Sequence, residues 1–373
     1  MKRFFETDWG LFLSALFILG TGLLSLYSLS AGGEGISSSS YFSRQVAYGM
    51  AGIAICIGIS FLDYRHVARF STPIYFLAAA LLLVAILFGR TIRGTTGWIS
   101  LGFFSFQPVE AAKVALILFL SRFIAQKRTE LGEWVRIVAS LVLTSVLVFL
   151  VLRQPDFGSA LTLIVLWAGM IAVSGIRLKH ILVLLALGGA LVSVGWFTLA
   201  DYQRARIDTF LRPESDPQGS GYNVIQSMVA IGSGGIFGKG VGYGSQSQLN
   251  FLPEKHTDFL YAVVGEELGL FGAGAVLFAY AFLLFRIYRI AVSAGDNTGF
   301  LIGIGALSSF LFQIVVNIGM NLGIVPVTGL PAPFLSYGGS SLLVSFSILG
   351  LLLSVARNRR SEHGSSVGFP LVS

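Results

Sequence analysis

The chain has 373 residues, of which 54% are hydrophobic and only 12% charged, about half the charged share of a soluble domain. The apolar residues fall in long blocks parted by short polar stretches, which excludes an ordinary soluble enzyme domain and indicates an integral membrane protein. The net charge of +7 comes from basic residues at block ends that form no patch, so nucleic acid is excluded as a partner and the charges read as topology signals.

Ten blocks are long enough to cross roughly 30 Å of hydrocarbon at about 1.5 Å per residue. In chain order they are Leu11–Leu29, Val46–Leu62, Pro73–Phe88, Pro108–Ile124, Trp134–Leu152, Gly158–Gly175, Ile181–Leu199, Phe259–Phe285, Thr298–Ile318 and Ser340–Ala356. The predicted fold is all-α, a polytopic bundle of about ten transmembrane helices with a long loop, residues 200–257, between the seventh and eighth. The first block follows Lys2 and Arg3 as a secretory signal would, but it is as long as its neighbours and nine more follow, so it reads as a retained anchor. Residues 1–360 read as one transmembrane unit, and the Ser/Gly-rich tail 361–373 as disordered. The single cysteine, Cys56, lies inside an apolar block and reads as a small core residue.

Counting Lys and Arg on alternate sides gives 15 on the side of the termini and four in the short segments opposite. That asymmetry predicts both termini in the cytoplasm. The loops at 89–107, 153–157, 200–257 and 319–339 then face outward, and they hold the unusual polar motifs. A site facing the outer leaflet follows.

Ionisable residues within spans are costly and are functional candidates by default. Glu110 and Lys113 open the fourth span behind Pro108, and their i, i+3 spacing places them on one helix face. A structural ion pair and a functional one are equally compatible with that pattern. Asp156 reads as a cap of the sixth span. The stretch from Glu254 to Asp258 carries four ionisable side chains, Glu254, Lys255, His256 and Asp258, where the eighth span begins. Thr257 or Asp258 could cap that helix. Alternatively Asp258 is a general base, kept ionised by the helix terminus, with Lys255 and His256 beside it for anionic groups. Spacing does not choose between them. Glu266 and Glu267, deeper in the same helix, fit a structural hydrogen-bond network better than a proton path. The Gly-rich run Gly232–Gly240 fails the Walker pattern, since Ser233 replaces the first Gly and Gly240 the final Ser/Thr. It reads as a re-entrant or surface turn whose amides could still meet a pyrophosphate.

The run from Gln246 to Phe259, QSQLNFLPEKHTDF, resembles the signature of the SEDS (shape, elongation, division and sporulation) family. Gly265–Gly269, Pro333–Ser341, Phe106–Lys113 and Gln154–Gly158 match at the expected places, so the resemblance covers nearly the whole chain. Lys255, with Gln-Ser-Gln upstream, is closer to the rod-shape branch than to the division branch. The resemblance implies a peptidoglycan glycosyltransferase of the bacterial cytoplasmic membrane. It would polymerise lipid II at the outer face during cell elongation, alongside a class B penicillin-binding protein and other elongation-complex proteins. It also implies that Asp258 is the essential residue and that Glu110 and Lys113 line the same cavity; Glu254, Lys255, His256 and Arg206 are further candidates to bind substrate there. Lys113, Lys255, Arg206 or a divalent cation (Mg2+ or Mn2+) would stabilise the diphosphate leaving group. Two positions depart from the family: Gly97 stands where Arg is frequent before Trp98, with Arg90 or Arg93 as substitutes, and Val109 stands where Ser is usual. A lipid II flippase is the competing class, and it predicts that Glu266 and Glu267 matter more than Asp258.

Overall fold

The computed structural model describes residues 8–31, 36–92, 95–100, 102, 105–126, 133–175, 177, 179–180, 182–183, 186, 188–189, 208–216 and 219–359. Its helices are α1 (Trp9–Ala31), α2 (Ile36–Phe61), α3 (Tyr64–Arg69), α4 (Ser71–Phe88), α5 (Pro108–Ala125), α6 (Glu133–Leu152) and α7 (Phe157–Ala172). After them come α8 (Ser220–Ser233), α9 (Ser245–Gln248), α10 (Leu260–Val292), α11 (Asn297–Asn321) and α12 (Gly339–Arg357). Nine of the ten expected spans fall on these helices, seven of them to within three residues, while α2 begins at Ile36 rather than Val46 and α10 runs on to Val292 rather than Phe285; Ile181–Leu199 lies largely outside the described residues. Seven described helices are long and apolar enough to cross a membrane. The two that fall short do so for plain reasons: α5 carries Glu110, Lys113 and Arg122, and α7 has only 16 residues.

Burial separates the helices that make the centre from those that face lipid. In α11 and α12, 67% and 72% of the apolar stretch is buried inside the protein, against 22% in α2 and 28% in α4. Phe76, Phe88 and Phe278 stand outward at 63%, 79% and 73% exposure, which lipid tolerates and water would not. Between apolar helices in lipid, close packing replaces the hydrophobic effect as the adhesive. The α2–α12 contact shows how: Gly350 lies so near the Cys56 carbonyl that a Cβ there would approach it to 2.7 Å. Cys56 itself is fully buried, as a core residue.

Between α4 and α5 the chain makes a small antiparallel sheet, β1 (Arg90–Ile92), β2 (Thr95–Ser100) and β3 (Ser105–Phe106), in that order. Arg90 pairs with Trp98 and Ile99 with Phe106, and the Thr96 amide donates to Gln154 O, fixing the sheet against the turn before α7.

The eighth span is not one regular helix. At Gly269 of α10 the backbone turns to φ 65°, ψ −161°, a conformation open essentially to Gly alone. The groups this break frees are taken up by the Gly-rich segment before it. Leu270 N donates to Gly235 O (2.9 Å) and Phe271 N to Ile236 O (3.3 Å). In return Lys239 N and Gly240 N donate to the carbonyls of Glu266 and Glu267, each at 3.0 Å. Irregular backbone within a membrane protein persists where protein satisfies it, and here it does. The expected turn at Gly232–Gly240 is therefore a brace for a broken helix, and the two amides named are spent on that brace rather than offered to a phosphate.

Candidate functional site

The loops that join the N-termini of α5, α7, α10 and α12 converge at one end of the bundle. Gln107 Nε2 donates to Asp156 Oδ2 (3.2 Å) and Gln107 N to Ser340 Oγ (3.1 Å). Asp156 caps α7 as expected, accepting from the Ser159 amide at 3.0 Å and its hydroxyl at 2.7 Å. Tyr337 N donates to His256 O (3.0 Å), which ties the segment before α12 to the segment before α10.

Asp258 sits in this junction, two residues ahead of Leu260 rather than in the first turn of α10. The cap that Thr257 or Asp258 could have supplied comes from another helix. Phe259 is the N-cap residue and makes no side-chain cap bond, while Asn321 Oδ1 of α11 accepts the Ala262 amide at 3.1 Å. Asp258 is held by its main chain: its carbonyl accepts from Asn317 Nδ2 (3.2 Å) and Asn321 Nδ2 (2.9 Å). Just upstream, Glu254 adopts φ 50°, and its carbonyl gathers the amides of Thr257, Asp258 and Phe259 at 3.1, 3.2 and 3.4 Å. A non-Gly residue there is strained, and such strain is retained where surrounding structure fixes it. The half-buried Asp258 carboxylate faces the loop before α12, where a Cβ on Gly329 would lie 3.7 Å from Oδ2.

Glu110 and Lys113 form a buried ion pair at 2.7 Å, with side chains only 3% and 2% exposed. Lys113 Nζ also donates to Gln313 Oε1 of α11 (3.1 Å), and Gln313 Nε2 donates to Ser309 at 3.0 Å. Removing one partner of such a pair strands a charge, so it fixes the α5–α11 contact firmly. Gln313, Asn317 and Asn321 repeat every four residues, which puts one polar stripe on α11 within an apolar span. That stripe joins the ion pair to Asp258, about two turns or ~12 Å along the axis. It was not singled out in the sequence, although three amide side chains at i, i+4 were there to be seen.

The remaining candidates divide. His256 stacks on Tyr41 with ring centroids 4.6 Å apart, and Tyr41 meets Tyr337 edge-on at 5.0 Å. Burial is the first cause that raises the Tyr337 phenol above its ordinary range, and a hydrogen bond to Arg44 pulls the other way. Arg44 thereby joins the cluster, unanticipated from sequence. Lys255 is buried and turned into the loop 247–250, donating to Ser247 O and to Asn250 Oδ1 (2.7 Å). Desolvation lowers its pKa, against the opposing pull of Glu266 and Glu267. Glu254 is exposed, with Oε2 accepting from Thr257 Oγ1 at 3.3 Å. Arg206 and Arg93 lie outside the described residues. Arg90 stands across the hairpin from Trp98, and at Gly97 a Cβ would come to 2.5 Å from Gln154 Oε1, so this chain packs Gln154 against that position.

Glu266 is fully buried and accepts from Lys239 Nζ (2.9 Å), Gln246 N (2.8 Å) and Ser247 N (3.0 Å). Glu267 accepts from the Ser28 hydroxyl, Gly242 N (3.3 Å) and Gln248 Nε2 (3.2 Å). Both carboxyls pin the loop 239–248 onto α10 and α1, the structural network expected of them. Among the described residues no three His, Cys, Asp or Glu side chains gather to hold a metal. The chain thus offers no preformed cage for Mg2+ or Mn2+ in those residues.

Fold and site together define a polytopic membrane protein with a positioned carboxylate at the junction of its loops. The chain belongs to the FtsW/RodA/SpoVE family of cell-cycle proteins, whose model matches residues 9–361. It is 38% identical over 339 residues to the peptidoglycan glycosyltransferase MrdB of Escherichia coli K12, covering 89% of each chain. It is similar in structure, at TM-score 0.79 and 31% identity, to a chain of a peptidoglycan synthase complex described for its coordination of polymerization and crosslinking. That match covers 95% of this chain and 99% of the other. It also resembles the rod-shape-determining protein RodA of Thermus thermophilus, with TM-score 0.70 and 29% identity over 95% and 98% of the two chains. The SEDS resemblance read from the motifs is borne out.

Proposed function

We propose that this protein is a peptidoglycan glycosyltransferase that polymerises lipid II at the outer face of the cytoplasmic membrane during cell elongation, with Asp258 as general base. The observation that carries this is the fixing of Asp258 by its own carbonyl, through Asn317 and Asn321, while Asn321 relieves it of capping α10. A base must present its carboxylate to a proton, and a cap cannot. In the reaction the Asp258 carboxylate takes the proton of the acceptor sugar hydroxyl. That oxygen attacks the anomeric carbon of the second lipid II, and the C–O bond to the polyprenyl diphosphate breaks, releasing the diphosphate.

The asymmetry of Lys and Arg supports cytoplasmic termini and an outward site. A class B penicillin-binding protein is the partner this reading entails, to crosslink the strands. The transferase reading is favoured over a flippase because Glu266 and Glu267 are bound into the loop brace and serve it. Purified protein given lipid II, with and without that partner, should yield glycan strands. Vesicles in which lipid II crosses the bilayer while no strand forms would replace this reading with the transporter.

A further inference from the structure

Two open cavities lie away from Asp258, toward the N-terminal end of α4 and the C-terminal end of α5. One, about 390 Å3, is lined by Ser71, Tyr75, Phe119, Arg122, Phe123 and Arg136 among others. The second, about 280 Å3, is lined by Arg65, Arg69, Arg122, Gln126 and Thr298. They share Arg122 and Gln126 and so adjoin. Four guanidinium groups line the two, and no carboxylate does among the described residues.

Two of those cations are accounted for within the protein. Arg65 pairs with Asp296 at 2.9 Å, and Arg122 donates to the carbonyls of Ala68 and Arg69 at the end of α3. Arg136 is not: its Nε is buried with no hydrogen-bond partner. The Ser71 hydroxyl, in a residue 1% exposed, is likewise buried without a partner. A buried donor left unpaired costs free energy comparable to a lost hydrogen bond, and here two such donors belong to residues that line one cavity. Beside these donors the wall is aromatic. Tyr75 and Phe119 are 4.7 Å apart, Phe119 and Phe123 6.0 Å, and Phe76 is 63% exposed on the outer surface of α4. On α6, whose Arg136 and Leu143 line the first cavity, Val138 and Val142 are 51% and 57% exposed. A polar, cationic recess thus opens onto an apolar helix surface of a membrane protein.

We propose that the joined cavities seat the headgroup of an anionic phosphoglyceride. Its phosphodiester meets Arg136, Arg69 and the Ser71 hydroxyl, and its acyl chains run along the aromatic face of α4 and α5. An anion with a hydrocarbon tail satisfies both walls, whereas a free phosphate satisfies only one. Basic recesses between helix ends are suited to such headgroups. The site is independent of the chemistry at Asp258 and would anchor the α4–α6 side of the bundle to the leaflet.

Delipidated protein titrated with dioleoylphosphatidylglycerol or dioleoylphosphatidylcholine, and read by native mass spectrometry, tests this. The wild type should retain phosphatidylglycerol in preference. Each of Arg136→Gln and Arg69→Gln should weaken it about fivefold, the change equivalent to ~1 kcal/mol per cation at a lipid surface, and Arg136→Lys should restore much of the loss. Arg69 is exposed, so Arg69→Gln reads the site even if Arg136→Gln fails to fold. Equal retention of the two lipids, or unchanged phosphatidylglycerol binding in well-folded variants, overturns the proposal. So does displacement of the lipid by inorganic phosphate alone, which would mark a site for a free anion.

Discussion

The carbonyl of Asp258 accepts two side-chain amides from α11, and the oxygen of one of those amides caps α10 in its place. The main chain thereby fixes the position of the residue, and its side chain does not have to cap α10. Lys255, three residues earlier, does the reverse and spends its charge inside the loop. Burial lowers its pKa from 10.5. The unfolded chain therefore binds the extra proton between the lowered value and 10.5, and stability rises with pH across that window. Wild type compared with Lys255→Met by thermal unfolding should gain on the variant as pH climbs through that interval and run parallel to it at neutral pH. Motif order made Asp258, Glu110 and Lys113 legible in the sequence. The inward turn of Lys255 was not, because a lysine beside an aspartate looks the same whether it faces a ligand or a carbonyl.

At the scale of elements, α11 and the broken α10 decide the site. Asn321→Leu would leave the Asp258 carbonyl one donor short and the Ala262 amide without its side-chain acceptor. It should cost about 1–3 kcal/mol of stability and depress polymerisation as well, read by melting temperature and strand yield. Gly269→Ala must place a Cβ at φ 65° against Gly238 N and Ile236 O. It should cost at least ~1–3 kcal/mol, and limited proteolysis should then open the loop 234–248 first. Helix positions could be read from apolar blocks because lipid demands length and hydropathy. The break could not, since Gly269 lies 29 residues beyond the end of the Gly-rich run and only the fold pairs them. The α11 stripe was readable, but amides carry no charge and so raise no alarm within an apolar span.

For the whole molecule, orientation is the proposition most open to direct test. Cys56 is fully buried, so the chain gives little labelling background. Tyr243→Cys, at a residue 78% exposed near the Asp258 end, should react with a membrane-impermeant maleimide in intact spheroplasts. Ser293→Cys, just beyond the far end of α10, should react only after lysis. The reverse pattern would invert the topology and place Asp258 in the cytoplasm, away from an outer-leaflet reaction. The overall bundle was legible because composition alone sets it, whereas the seating of loops 239–258 and 322–338 on one another depends on long-range hydrogen bonds that no local pattern encodes.

The most direct test is the rate at which purified protein, with its penicillin-binding partner, polymerises lipid II, set beside Asp258→Asn in a sample of matching melting temperature. The account predicts loss of at least about 100-fold in the variant, the scale of a missing general base. Turnover by Asp258→Asn close to that of the wild type would contradict it.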